Sequence, residues 1–233
     1  ADAIYKPVKE LLEHEKTQYF ERMAFIIRIP SITESINGHD VSLTVGGVRA
    51  YNQENLYNRK TYEKFKFFIG FQNMVCCNLC ISTDGYQDEM RVGNYSELQS
   101  KIMDLIENYN AQSHLQEMKQ LSQQSISEKQ FAQLIGRARL YNFLPKQEKS
   151  QIPELMLNDG QISTVAKDYY QDESFCRNEN GDINLWKVYN LFTRANKSSY
   201  IDSFLSRNVN AFDFTQGLAN AINGDSKHRW FLS

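Results

Sequence analysis

The chain has 233 residues, 41% hydrophobic and 23% charged, enough for one large domain or two small ones. Its 4 prolines and 11 glycines argue against a long disordered linker, and no apolar run approaches the roughly 20 residues that span a bilayer. A net charge of -2 gives no global nucleic-acid signature and leaves only a local basic patch to look for.

The chain opens Ala1-Asp2-Ala3, without Met or a signal-like core, and reads as a fragment that could have lost a leader. Residues 8–20 carry a helical pattern. Residues 22–93 then read as mostly β. Arg22 to Ile29 is rich in large apolar residues, Asn37-Gly38 marks a turn, and Val41, Leu43 and Val45 alternate with polar partners. Gly46-Gly47 is expected to break or bulge that strand. Phe65 to Ile81 is the strongest β signal. Asp84-Gly85 follows as a turn, and Glu89 to Val92 as a short strand.

Residues 95–222 read as mostly α. Asn94 and Glu97 have capping-box spacing, and Leu98, Ile102, Leu105 and Tyr109 recur at helical spacing in a run to about Leu121. Ser127 and Gln130 repeat the cap, with Phe131, Leu134, Ile135, Ala138 and Asn142 on one face. Pro145 and Pro153 bracket a loop. Helices are predicted over 161–170, 185–197 and 200–222, the last with a break near Asn208. The class that follows is α+β: an antiparallel sheet from 22–93 packed against helices from 95–222, in one domain.

Gly70 to Gly85 holds three of the four cysteines, and zinc is the first chemistry it suggests. Cys77 and Cys80 form a Cys-x-x-Cys pair beside Cys76, but a tetrahedral site needs a second pair. Cys176 stands alone, and His14, His39, His114 and His228 have no ligand-like spacing. On an extended strand, Phe65, Phe67, Ile69, Phe71, Val75, Cys77, Leu79 and Ile81 share one face. Cys76 and Cys80 share the other, roughly 13 Å apart at about 3.3 Å per residue. Small buried thiols in a strand are therefore expected, with no metal and no cofactor. No cation or His lies close in sequence to activate a thiol nucleophile, and reduced, cytoplasmic cysteines fit better than a disulfide framework. The segment is long for one strand. Either Gly70 bends it, or the Gln72-Asn73 region turns into a second strand; a buried Asn73 would need a partner.

The strongest local charge signal lies on 185–197. At 100° per residue, Leu185, Val188, Tyr189, Phe192 and Ala195 share one face, while Lys187, Asn190, Arg194 and Lys197 share the other, with Trp186 at the margin. Such a row can meet a phosphate backbone and offer a ring to a base, though it equally fits a solvated face. Arg137 and Arg139 flank the apolar face of the helix 128–143. They read as snorkelling side chains or, with Lys146 and Lys149, as an extension of a basic surface. Residues 150–183 carry seven acids against two bases, and acids folded over the 185–197 stripe would close it. No phosphate loop, dinucleotide fingerprint, zinc-protease motif or nucleophile elbow is present, so an enzyme is the weakest reading.

VGGVRAYNQENLY (45–57), FIGFQNMVCCNLCISTDG (68–85), FAQLIGRARLYNFLP (131–145) and LWKVYNLFTRANKSSYID (185–202) resemble a Bacteroides family of unknown function. Its members are typically encoded on conjugative transposons and plasmids. More distantly, the V-C-x-N step and the W-x-x-Y-N-x-x-T segment are similar to phage- and plasmid-type proteins of unknown function. Family members often carry Thr where Cys77 stands. The resemblance brings no catalytic residues. It implies a mobile-element setting and, by analogy, a non-enzymatic accessory protein binding single-stranded DNA. The alternative is a protein-interaction or anti-host-defence module without nucleic acid.

Overall fold

A computed structural model describes residues 23–50, 63–92, 95–172 and 177–233. The helix predicted over 8–20, the cap at Asn94, and Cys176 lie outside them. The fold is α+β, and the chain divides into two compact units, the first running to Gln112 apart from Ile36–Gly38, the second comprising Ser113–Ser233 with Ile36–Gly38.

The first unit is built on a five-stranded antiparallel sheet. Strands β1 (Met23–Ile36) and β2 (His39–Ala50) flank the predicted Asn37-Gly38 turn. Both turn residues have positive φ, 50° and 78°, the geometry of a tight hairpin turn, which Asn and Gly tolerate best. β2 pairs with β3 (Glu63–Asn73) in unbroken register, from Val41 opposite Asn73 to Ala50 opposite Lys64. The expected break at Gly46-Gly47 does not occur. Gly46 stays in the ladder opposite Phe68, and a Cβ there would run into the Phe68 ring and the Phe25 carbonyl. The glycine makes room for an aromatic ring rather than for a bulge.

Of the two alternatives for Phe65 to Ile81, the second holds: the chain turns after Gln72-Asn73 into a second strand. β3 ends at Asn73, and β4 (Leu79–Cys80) folds back to pair antiparallel with it, Cys80 opposite Phe71. The parity argument therefore fails beyond Asn73, because the chain is not extended there. Asn73 has the partners its burial requires. Its side-chain oxygen accepts from the Val75 and Cys76 amides at 2.9 and 3.3 Å, which closes the turn. Gly70 lies in β3 rather than at a bend; a Cβ there would strike the Cys80 carbonyl, so the close return of β4 requires glycine. After a 3-10 turn at Thr83–Gly85, β5 (Tyr86–Val92) pairs with the other end of β3, Tyr86 opposite Phe68. β3 is thus the central strand, and Phe67, Phe68, Ile69 and Phe71 are buried on both of its faces.

Helix α1 (Tyr95–Asn108) lies against β3 and β5 and buries Leu98, Ile102, Leu105 and Ile106. The single helix expected to about Leu121 is interrupted at Tyr109-Asn110. Asn108 turns its amide onto the Asp104 carbonyl at 2.8 Å, and the Asn110 amide points to Asp84. Asparagine side chains that compete for backbone partners are poor helix interiors.

The second unit is helical. It contains α2 (Ala111–Gln123), α3 (Glu128–Tyr141), the short α4 (Lys146–Lys149), α5 (Asp159–Gln171), α6 (Leu185–Asn196) and α7 (Ile201–Ile222), then a 3-10 turn at Arg229–Phe231. A two-residue ladder joins β6 (Ser125–Ile126) to β7 (Ile183–Asn184). The Ser127–Gln130 capping box forms as predicted, and a second box, Asn158 with Gln161, starts α5 earlier than expected. α7 runs unbroken through Asn208, which is buried and donates to the Phe204 carbonyl at 3.0 Å. α6 occupies the centre, packed by α5 and α7. Around it gather Tyr189, Phe192, Phe212, Phe214 and Phe231. Among the described residues no helix is long and apolar enough to cross a membrane.

Candidate nucleic-acid interface

The row singled out on 185–197 sits on the central helix. Asn184 caps α6 by accepting the Lys187 amide at 2.9 Å, which fixes the start of the helix and the facing of everything after it. Ten of its twelve residues are buried, so the face that alternates as polar in sequence is largely interior. Trp186 is 0% exposed and Asn190 only 5%. Asn190 sends its amide to the Trp186 carbonyl at 2.8 Å, and Thr193 donates to Tyr189 at 3.1 Å. These are polar side chains satisfied against their own helix, the form in which a buried helix tolerates them. A ring closed on all sides cannot receive a base.

Arg194 is half-exposed, and two acids hold it, one in the last turn of α5 and one just past its end. Its Nε lies 3.3 Å from Asp168, and its Nη1 binds Asp172. Asp168 lies in the last turn of α5 and Asp172 is its C-cap, where the chain leaves the helix in extended conformation. Both belong to the acidic stretch 150–183, which does fold over this part of the stripe. Lys187 is half-buried and Lys197 exposed. Of the seven residues singled out, Lys187, Asn190, Arg194, Lys197 and Trp186 share α6 and its cap, and the two arginines belong to α3.

Arg137 donates from Nε and Nη2 to the Ser233 backbone oxygen at 3.2 and 3.0 Å, and its guanidinium covers the Trp230 ring at 4.8 Å. Arg139 makes a two-pronged pair with Asp159 at 2.7 and 3.0 Å. That pair raises the arginine's pKa and lowers the carboxylate's, each mainly through the shared hydrogen bond. Lys149 sits 4.4 Å over the Tyr141 ring. Both arginines thus do structural work at the edge of the core.

The sulfurs are placed differently from one another. Cys80 is fully buried in β4, opposite Phe71, Cys77 is exposed with φ 55°, and Cys76 is intermediate. Among the described residues no three His, Cys, Asp or Glu side chains gather where a metal could be held.

Two features escaped the sequence reading. The Asp168–Asp172 clamp belongs to a visibly acidic stretch, but nothing local said which cation the two carboxylates would meet. The other is a pair of bare apolar side chains at the end of α3, Leu140 in its last turn and Phe143 just past it, 55% and 77% exposed. Phe143 follows the last turn of the helix, where periodicity no longer tells core from surface.

These observations define a two-unit α+β protein in which the helix bearing the basic row, α6, is a core element. The chain belongs to the family described as "Domain of unknown function, B. Theta Gene description (DUF3871)", whose model matches residues 1–232. That description agrees with the Bacteroides resemblance. No curated protein and no solved structure matched the chain.

Proposed function

We propose that this protein is a non-enzymatic interaction module that works by binding another protein, in the accessory machinery or the anti-host defence of a mobile element. The observation that carries the reading is the Arg194 clamp beside a fully buried Trp186. Affinity for single-stranded nucleic acid comes from unneutralised cations tracking phosphates and from exposed rings stacking bases. Here the arginine is already answered by two carboxylates and the ring is inside. The mobile-element setting rests on the resemblance of the four segments quoted above.

Titration of labelled single-stranded DNA at low ionic strength tests this reading. The expected result is no complex, together with a stoichiometric, nuclease-resistant protein complex when the tagged chain is purified from a Bacteroides host. A salt-sensitive DNA complex that weakens in Lys187→Ala and Lys197→Ala would overturn it.

A further inference from the structure

Arg207, on α7, is held by only half of its guanidinium. Nη1 donates to the Met156 carbonyl at 2.6 Å and to the Gln161 side-chain oxygen at 2.7 Å. Both acceptors are neutral. Among the described residues Nε and Nη2 reach no acceptor, and Nε is buried. Arg137 and Arg139 show how that edge is used elsewhere in the chain. Each engages Nε and Nη2 together, one on the Ser233 backbone oxygen and the other on the Asp159 carboxylate. The Nε/Nη2 edge presents two parallel donors that match two oxygens of a carboxylate or a phosphate. Arg207 is part-buried, and a cation taken partly out of water without a counter-charge costs free energy. A neutral donor would serve Met156 and Gln161, so the fold does not account for the charge.

The surroundings favour negative charge. Side chains on a helix lean toward its N-terminus, so Arg207 reaches back toward the turn that precedes α7. Gln161, 2% exposed, fixes it there. Its oxygen takes Nη1, while its Nε2 donates to Ser199 Oγ at 2.9 Å and to Ser198 Oγ at 3.3 Å. Ser198 passes its own hydrogen to the Ala195 carbonyl at 2.8 Å. The Ser199 hydroxyl, part-buried beside the same amide, is left as a further donor. Tyr200, the N-cap of α7, offers no side chain to the first amides of the helix, where the partial charge is positive. Asp159, two residues before Gln161, is already taken by Arg139.

We propose that the Nε/Nη2 edge of Arg207 is an oxyanion site, taking two oxygens of a carboxylate or phosphate group with the Ser199 hydroxyl as a third donor. This inference rests on the interaction-module reading and names the group that the partner protein presents: an acidic or a phosphorylated side chain. A charge-assisted, two-pronged bond of this kind fixes orientation as well as adding affinity.

The test is a titration of the purified, nitrogen-15-labelled chain with inorganic phosphate and, separately, with acetate, at ionic strength held constant by chloride. Arginine side-chain NMR reads it. The Arg207 Nε–H resonance is expected to move and saturate, while that of Arg139, already held by Asp159, stays in place. Saturation by phosphate alone assigns the site to a phosphorylated side chain, and saturation by acetate as well assigns it to an acidic one. Arg207→Lys keeps the charge and a donor but has no fork, and is expected to weaken binding about tenfold, followed at the Ser199 amide. Ser199→Ala leaves the Arg207 contacts to Met156 and Gln161 in place and is expected to weaken it several-fold. An Arg207 resonance that neither anion moves would overturn the proposal. So would a response that chloride reproduces, or undiminished binding in Arg207→Lys. Those results concern Arg207 alone and leave the interaction-module reading standing. That reading fails on a salt-sensitive DNA complex, whatever Arg207 does.

Discussion

Cys77 is held with φ 55° in the turn between β3 and β4, a left-handed conformation that costs a side-chain-bearing residue free energy. The turn exists because Asn73 caps two successive amides, and the residue closing it takes the strain. Cys77→Gly is expected to raise stability by about 0.5–1 kcal/mol, the relief being partly offset by the freer unfolded chain. A higher urea midpoint with unchanged slope confirms it; a lower midpoint shows that the thiol contributes more than its backbone costs. Parity could not anticipate this. The alternation of Phe65, Phe67, Ile69 and Phe71 is genuine strand periodicity. Val75, Cys77 and Leu79 continue it by coincidence across a turn that only Asn73, an amide out of place on an apolar face, betrayed. Asn190 is the same kind of residue on a helix. It looked like part of a polar stripe because a wheel records what a side chain is, and cannot record that its amide returns to the Trp186 carbonyl.

At the level of elements, local signals were reliable where the physics is local. Asn37-Gly38 and the Ser127–Gln130 box formed as read, since both are settled within four residues. Helix α6 shows the limit. Its amphipathic pattern is clear, yet a helix packed by α5 and α7 has little surface, and neighbours distant in sequence decide that. The start of α5 was placed too late, at the Gln161 that closes its capping box rather than after the Asn158 that opens it. Asn158 accepts the Gln161 amide at 2.9 Å, while the Gln161 side-chain oxygen accepts the Asn158 amide at 3.1 Å. Asn158→Ala is expected to lower stability by about 1 kcal/mol in thermal or urea unfolding. Asn158→Ser, which keeps an acceptor at the cap, should recover most of it.

On the scale of the molecule, the second unit should lose stability in mild acid through His228. Its ring packs on Gly217, where no side chain would fit, and edge-on to Phe214 at 5.4 Å. Burial pushes its pKa below the ordinary 6.5, against a smaller opposing pull from Asp225, while Lys227 adds to the lowering. The folded chain therefore takes up this proton less readily than the unfolded one. The stability is complete above about pH 6.5 and falls as pH drops from there toward the depressed folded value. Urea midpoints at descending pH should show that fall, and His228→Gln should flatten it; an equally steep fall in the variant assigns the effect to other groups. The sheet and helices were visible in the chain as two stretches of different periodicity. The division at Gln112 was not, because α1 and α2 read as one continuous run.

The two-residue ladder between Ser125–Ile126 and Ile183–Asn184, extended by the Leu185 amide to the Gln124 carbonyl, closes residues 127–182 into a loop. Drawing together the ends of a chain that long costs ~3–4 kcal/mol of entropy, more than two short strands return. The ladder can hold only after α3 and α5 have found their places, so it belongs to the last steps of folding. Weakening it should speed the opening of the helical unit far more than it slows its assembly.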